Sequence, residues 1–141
     1  MTIKAIQEEL IEEFAMFDDW MQRYEYMIDL GKSLPLIDEQ NKTDDNIIKG
    51  CQSKVWLDAQ LKGDKMVFCA DSDAIITKGI IAVLIRSFNN QTPSAILNAN
   101  TDFIDQIGLK EHLSATRANG LNSMIKKLKL YATAYQAKLN S

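Results

Sequence analysis

Between Val55 and Lys62 the chain alternates strictly. Val55, Leu57, Ala59 and Leu61 interleave with Trp56, Asp58, Gln60 and Lys62, and Gly63-Asp64 then turns the chain into a second stretch, Lys65 to Ala70. A period of two is that of a strand with one buried face, and a two-residue Gly-Asp connection predicts an antiparallel hairpin. Ile47-Ile48 adds a candidate third strand. The rest of the chain carries helical spacing, so the sheet is too small to bury itself and must be covered by helices. The expected class is α+β, a small antiparallel sheet of two to three strands packed by N- and C-terminal helices. Repeats, low-complexity tracts and linkers are absent from the sequence, so residues 1–141 read as one domain.

The helices announce themselves by period and by caps. Ile3, Ile6, Leu10, Ile11, Phe14 and Phe17 recur on one face, with Glu8, Glu9, Glu12 and Glu13 turned outward. Asp18 or Asp19 suits the N-cap of a second helix, with Gln22 completing a capping box and Trp20, Tyr24, Met27 and Ile28 inward, ending near Gly31. Residues 38–46 read as a loop. After the hairpin, Asp71-Ser72-Asp73 is expected to cap a helix that Ile75, Ile76, Ile80, Val83 and Leu84 make apolar on several sides. Thr92-Pro93 places a cap before a proline at the first helical position. Thr101-Asp102 opens a short helix to Ile107 with Gly108 as its stop, and Ser114 caps a long terminal helix through Leu121, Met124, Leu128 and Tyr135.

Composition removes several functions. A net charge of -3 argues against a nucleic-acid partner, which needs a cationic surplus. No apolar run reaches the roughly 20 residues that span a bilayer, and the acidic first helix is not a secretion signal. Both cysteines are therefore expected as reduced thiols in a cytoplasmic protein. They form no Cys-x-x-Cys pair, which argues against thioredoxin-type chemistry.

Chemistry is expected at Cys51, which follows Gly50 in a turn before the first strand. Glycine permits a sharp turn or positive φ, and a thiol so presented is a strong nucleophile once ionised. A small buried filler is the equally open alternative. Cys69, between Phe68 and Ala70, is expected as a core cysteine. His112, the lone histidine, either serves as base to Cys51 in a hydrolase or bonds structurally, and the structural role is preferred. Cys51, Cys69 and His112 match no common metal spacing. Arg117, near a helix start where the dipole disfavours cations, either engages a partner carboxylate or is simply solvated. Lys126, Lys127 and Lys129 read as a solvated face rather than an anion site, and Trp56 as a packing residue.

The run Ile48-Lys49-Gly50-Cys51-Gln52-Ser53-Lys54-Val55-Trp56 resembles the cysteine-loop motif of the SufE family of sulfur-acceptor proteins. Residues 71–83, Thr92-Pro93 and the stretch from His112 through Arg117 to Gly120-Leu121 fit in the same order. The resemblance covers nearly the whole chain and implies a fold like that of the IscU scaffold. It implies a persulfide acceptor, Cys51, that takes sulfur from a SufS-like cysteine desulfurase, stimulates that enzyme and passes sulfur to an iron–sulfur scaffold complex for cluster assembly. The chain would hold no cofactor, because pyridoxal phosphate belongs to the desulfurase. Gly50, Gln52 and Ser53 would shape the loop, and Asp73 and Arg117 would restrain it or contact the partner. Family members can also form homodimers. The weighed alternatives are an iron–sulfur or zinc scaffold of the same fold and, last, a Cys51/His112 hydrolase.

Overall fold

The structure, a computed structural model, describes residues 1–140, with Lys110 described by its backbone alone. Helices α1 (Ile3–Ala15) and α2 (Trp20–Lys32) come first, then a 3-10 turn at Glu39–Asn41. Strands β1 (Val55–Lys62) and β2 (Lys65–Ser72) form the hairpin, and α3 (Ile75–Phe88), α4 (Pro93–Asn98), α5 (Phe103–Gln106), α6 (Leu109–His112) and α7 (Ala115–Leu139) follow. The α+β expectation holds.

The caps were written in the sequence. Asp19 accepts from the Gln22 amide at 2.8 Å, Thr92 from Ala95 at 3.2 Å ahead of Pro93, and Ser114 from Arg117 at 3.3 Å. Each satisfies an amide that a helix start otherwise leaves without a partner.

The sheet has two strands, paired from Val55↔Ser72 to Lys62↔Lys65. Gly63, at φ +67, occupies the first position of the two-residue turn. The expected third strand is reduced to one bridge, Ile47 to Trp56, because the chain leaves β1 immediately afterwards. The inner face buries Val55, Leu57, Ala59, Met66, Phe68 and Ala70. On the outer edge of β1, Tyr131 and Tyr135 of α7 donate to the carbonyls of Leu57 and Ala59, at 2.9 and 2.7 Å. On the outer edge of β2, Ala70 N–H donates to Pro35 O, Phe68 N–H to Asn89 Oδ1 and Met66 N–H to Gln91 O.

Three expectations need correction. Cys69 is not in the core: with Phe68 and Ala70 facing inward, the pleat puts Cys69 on the outer face, half-buried and opposite Asp58. Asp71 and Ser72 belong to β2 rather than to a cap, and α3 begins after Ala74 with no side-chain cap. The short helix of 101–107 is followed by another, α6, after Gly108 at φ +83.

Helix α3 is the hub. Ten of its fourteen residues are buried, among them Ile80, Ile81, Leu84 and Phe88, and each large side chain so buried contributes roughly 1.5–3 kcal/mol. Its contact with α2 is close because Gly31 and Gly79 face each other across it. A Cβ on Gly79 would stand 2.7 Å from the Met27 carbonyl oxygen, a backbone atom that cannot swing away. At the other end of α3, Arg86 pairs with Glu9 at 2.9 Å and with Glu13, which also accepts from Tyr26. That cluster ties α1 and α2 to α3, and the Arg86 guanidinium holds the Glu13 carboxyl below its usual range.

Gly79→Ala is expected to destabilise the fold by about 1–3 kcal/mol, the usual cost of overpacking. Gly63→Ala, where no atom lies within 4 Å of the added carbon, would carry backbone strain alone. Urea unfolding of both variants measures the difference, and an unchanged midpoint for Gly79→Ala would show that the helices can separate freely.

Candidate functional site

Residues 49–54 form a loop whose base is held and whose tip is not part of the sheet. On one side Ile48 N–H donates to Val55 O and Leu57 N–H to Asn46 O, both at 2.8 Å. On the other, Lys54 N–H donates to Asp73 Oδ1 at 3.1 Å, and Lys54 O accepts from Ser72 Oγ at 2.9 Å and Asp73 N–H at 3.2 Å. Asp73 is thus fixed at the loop's base, away from the thiol.

The tip rests on the first turns of α7, where two glycines make the fit. Gly50 adopts φ +92, a conformation that L side chains rarely take, and a Cβ there would sit 2.6 Å from Ser123 Oγ. Gly120 lies on the helix directly under Cys51, where a Cβ would come within 3.3 Å of Sγ. Cys51 Sγ donates to Gly120 O at 3.6 Å. The thiol is half-buried, and burial pushes its pKa up. The carbonyl contact works in the same direction, since only the protonated thiol has a hydrogen to donate. In this pose Cys51 is a quiet thiol.

Beside it is a recess of about 50 Å³. That exceeds the roughly 10–15 Å³ a water-sized occupant needs. Ile80 and Met124 give it apolar walls, Thr77, Thr116 and Arg117 polar ones, and Gln52 and Ser53 close it from the loop. Arg117 Nη1 donates to Tyr24 Oη at 3.2 Å, so its guanidinium has an internal partner. The structure therefore brings Cys51, Gln52, Ser53 and Arg117 together around one small space, with Gly50 on its edge and Asp73 below.

Sequence reasoning missed Thr77, Ser123 and the role of Gly120. Only Gly120 left a signal: a glycine inside a helix costs about 1 kcal/mol relative to alanine, and calls for a packing reason. A larger groove of about 510 Å³ lies between α1 and the α4–α5 segment, but it has no cysteine or histidine in its walls.

The other candidates are occupied elsewhere. His112 stacks on Trp20, ring centroids 4.2 Å apart, its Nδ1 lies 2.9 Å from Gly108 O, and it does not line the Cys51 recess. The Cys69 thiol is pushed up by burial and then by the negative charges of Asp58 and Asp38. Lys127 and Lys129 are less solvated than expected, donating to the carbonyls of Asp45 and Ala99, both at 3.1 Å. Trp56 lies under the Lys42 ammonium at 5.2 Å. Among the described residues, no three His, Cys, Asp or Glu side chains converge as a metal ion would need.

Comparison with known proteins matches residues 8–132 to the family model described as "SufE: Fe-S metabolism associated domain". A SufE-like protein of Rhizobium meliloti is 41% identical over 127 residues, covering 86% of this chain and 91% of that protein. One of Rhizobium etli is 39% identical over 130 residues, covering 89% and 88%, and one of Synechocystis is 36% identical over 127, covering 90% and 80%. The solution structure of a hypothetical protein from Thermus thermophilus is similar in fold, with a TM-score of 0.78, 18% identity and coverage of 96% of this chain and 97% of that one.

Because burial raises the Cys51 thiol, its alkylation by iodoacetamide is expected to stay slow through pH 8 and to accelerate only above the ordinary thiol range of about 8.5. Gly120→Ala should shift that profile to lower pH by displacing Sγ from its carbonyl, while helix propensity leaves stability equal or higher. Alkylation rates against pH, read by intact mass, check both. A variant profile that overlays the parent would show that the Gly120 contact does not hold the thiol.

Proposed function

The chain belongs to the SufE family, and from that premise we propose that it is the sulfur acceptor of a cysteine desulfurase, relaying sulfur through Cys51 toward iron–sulfur cluster assembly. The observation that carries this reading is Cys51 itself. It is a thiol on a loop anchored at both bases, seated beside a recess of about 50 Å³, room enough for an added sulfur.

The transfer is thiol–disulfide chemistry in form. The Cys51 thiolate attacks the outer sulfur of the desulfurase persulfide, the new S–S bond forms as the old one breaks, and the desulfurase cysteine leaves as its thiolate. The moving sulfur keeps its oxidation state, so no outside electron donor is needed. Pyridoxal-phosphate chemistry precedes this step, on the desulfurase.

The resting pose supports a two-position cycle. Inward, the thiol is protonated and guarded by the carbonyl and the apolar walls, which limits wasteful oxidation. Outward, it leaves the desolvating seat, its pKa falls toward the ordinary value, and it reaches the partner. Gly50 is the hinge, since its backbone already sits where other residues are strained. The bonds of Ser72 and Asp73 to Lys54 keep the base fixed while the tip moves. Gln52 and Ser53 shape the tip, and Arg117 contacts the partner when the loop is out, exchanging its Tyr24 hydrogen bond for a carboxylate. Relieving the thiol of its seat is also how docking stimulates the desulfurase, by clearing its persulfide for another turnover. A reducing cytoplasm suits such a carrier.

Incubation with a cysteine desulfurase and cysteine should add one sulfur, about 32 Da, to Cys51 by the transfer above. Cys51→Ser should abolish the adduct and the stimulation of desulfurase turnover, and Cys69→Ser should leave both near parent level. Peptide mass spectrometry locates the sulfur, and an adduct on Cys69 alone overturns the assignment.

A further inference from the structure

We infer that Thr77 is a positioning residue for the sulfur that Cys51 carries, its hydroxyl donating a hydrogen bond to the terminal atom of the persulfide inside the recess. The inference rests on the relay reading, because it concerns the loaded state of the same thiol.

Thr77 is 8% exposed and lines the recess together with Cys51. Its hydroxyl has no hydrogen-bond partner among the described residues. In a helix a threonine hydroxyl can bond back to a carbonyl of the preceding turn. Thr77 is in the first turn of α3, and its hydroxyl makes no such bond there. The side chain is therefore mostly buried in the wall of the recess, and its donor is unused.

The loaded thiol supplies what is missing. A persulfide extends Cys51 by one sulfur at a bond length of about 2.05 Å. The recess of about 50 Å³ beside Sγ has room for that atom. The terminal S–H of a persulfide is more acidic than a thiol, because the neighbouring sulfur shares the charge, so the loaded group enters as an anion. Ile80 and Met124 shield it from water, but apolar walls alone would penalise the charge. The polar side offsets that penalty. Thr77 donates, and Arg117 lines the same space. The same arrangement gives the empty thiol nothing, since that sulfur faces the Gly120 carbonyl.

The test separates the empty thiol from the loaded one. Parent, Thr77→Val and Thr77→Ser are loaded at Cys51 in two ways: by desulfurase with cysteine, and by inorganic polysulfide, which gives one sulfur to the thiolate and leaves as a polysulfide one atom shorter. Dithiothreitol then reduces the persulfide to thiol and hydrogen sulfide and is itself oxidised to its cyclic disulfide, with loss of sulfur followed by intact mass. Thr77→Val, which keeps the shape and removes the donor, should lose sulfur about three- to tenfold faster, the factor that one hydrogen bond carries. Thr77→Ser should stay near the parent rate, and alkylation of the empty Cys51 should be equal in all three. Equal release from Thr77→Val and parent overturns the inference. So does a parallel acceleration of empty-thiol alkylation, which would mean that Thr77 only packs the recess. Loading by polysulfide but not by desulfurase would instead sink the relay reading, and the Thr77 comparison would still be read on the polysulfide-loaded protein.

Discussion

The burial of α3 is the constraint from which the remaining architecture follows. This helix is apolar on nearly every side, so each of its faces must be covered, and α1, α2, β2 and α7 are the covers. The approach of α2 is set by two glycines and a backbone carbonyl, leaving no room for adjustment at Gly79. Once α3 is placed, its first turn delivers Thr77 and Ile80 to one side of the thiol's recess, and α7 delivers Thr116, Arg117, Gly120 and Met124 to the other. The recess is therefore a seam between two helices, and its third wall is the loop.

That division of labour is visible in the strengths of the contacts. The base of the loop is held by several backbone hydrogen bonds of 2.8 to 3.2 Å. The tip is held at the thiol by a single sulfur donor at 3.6 Å, a second-order interaction. A strongly ionised cysteine is the more open to oxidation, and burial shifts the Cys51 thiol the other way.

Local signals carried the fold well. Asp19, Thr92 and Ser114 are caps because their short side chains have no better use, and the alternation from Val55 fixed both the hairpin and its inner face. The errors came where neighbours decide. Asp71-Ser72-Asp73 has the composition of a cap, yet pairing with Val55 extended β2 through Ser72 and left α3 uncapped. Residue type points Cys69 to a core that its own register denies it. At the site, Gly50 and Cys51 were legible because a glycine-cysteine turn is a local event. Gly120, Ser123 and Thr77 were not, because each matters through an atom that arrives from a distant part of the chain.

The covered margins of the hairpin bear on how another protein can take hold of this one. Tyrosine hydroxyls along β1 and the Pro35, Asn89 and Gln91 groups along β2 occupy the positions at which a visiting strand would be grafted. Recognition by sheet extension is closed, and so is the end-to-end stacking by which small sheets polymerise. Contact with another protein is thereby left to side chains and to the cysteine loop, whose tip lies outside the sheet.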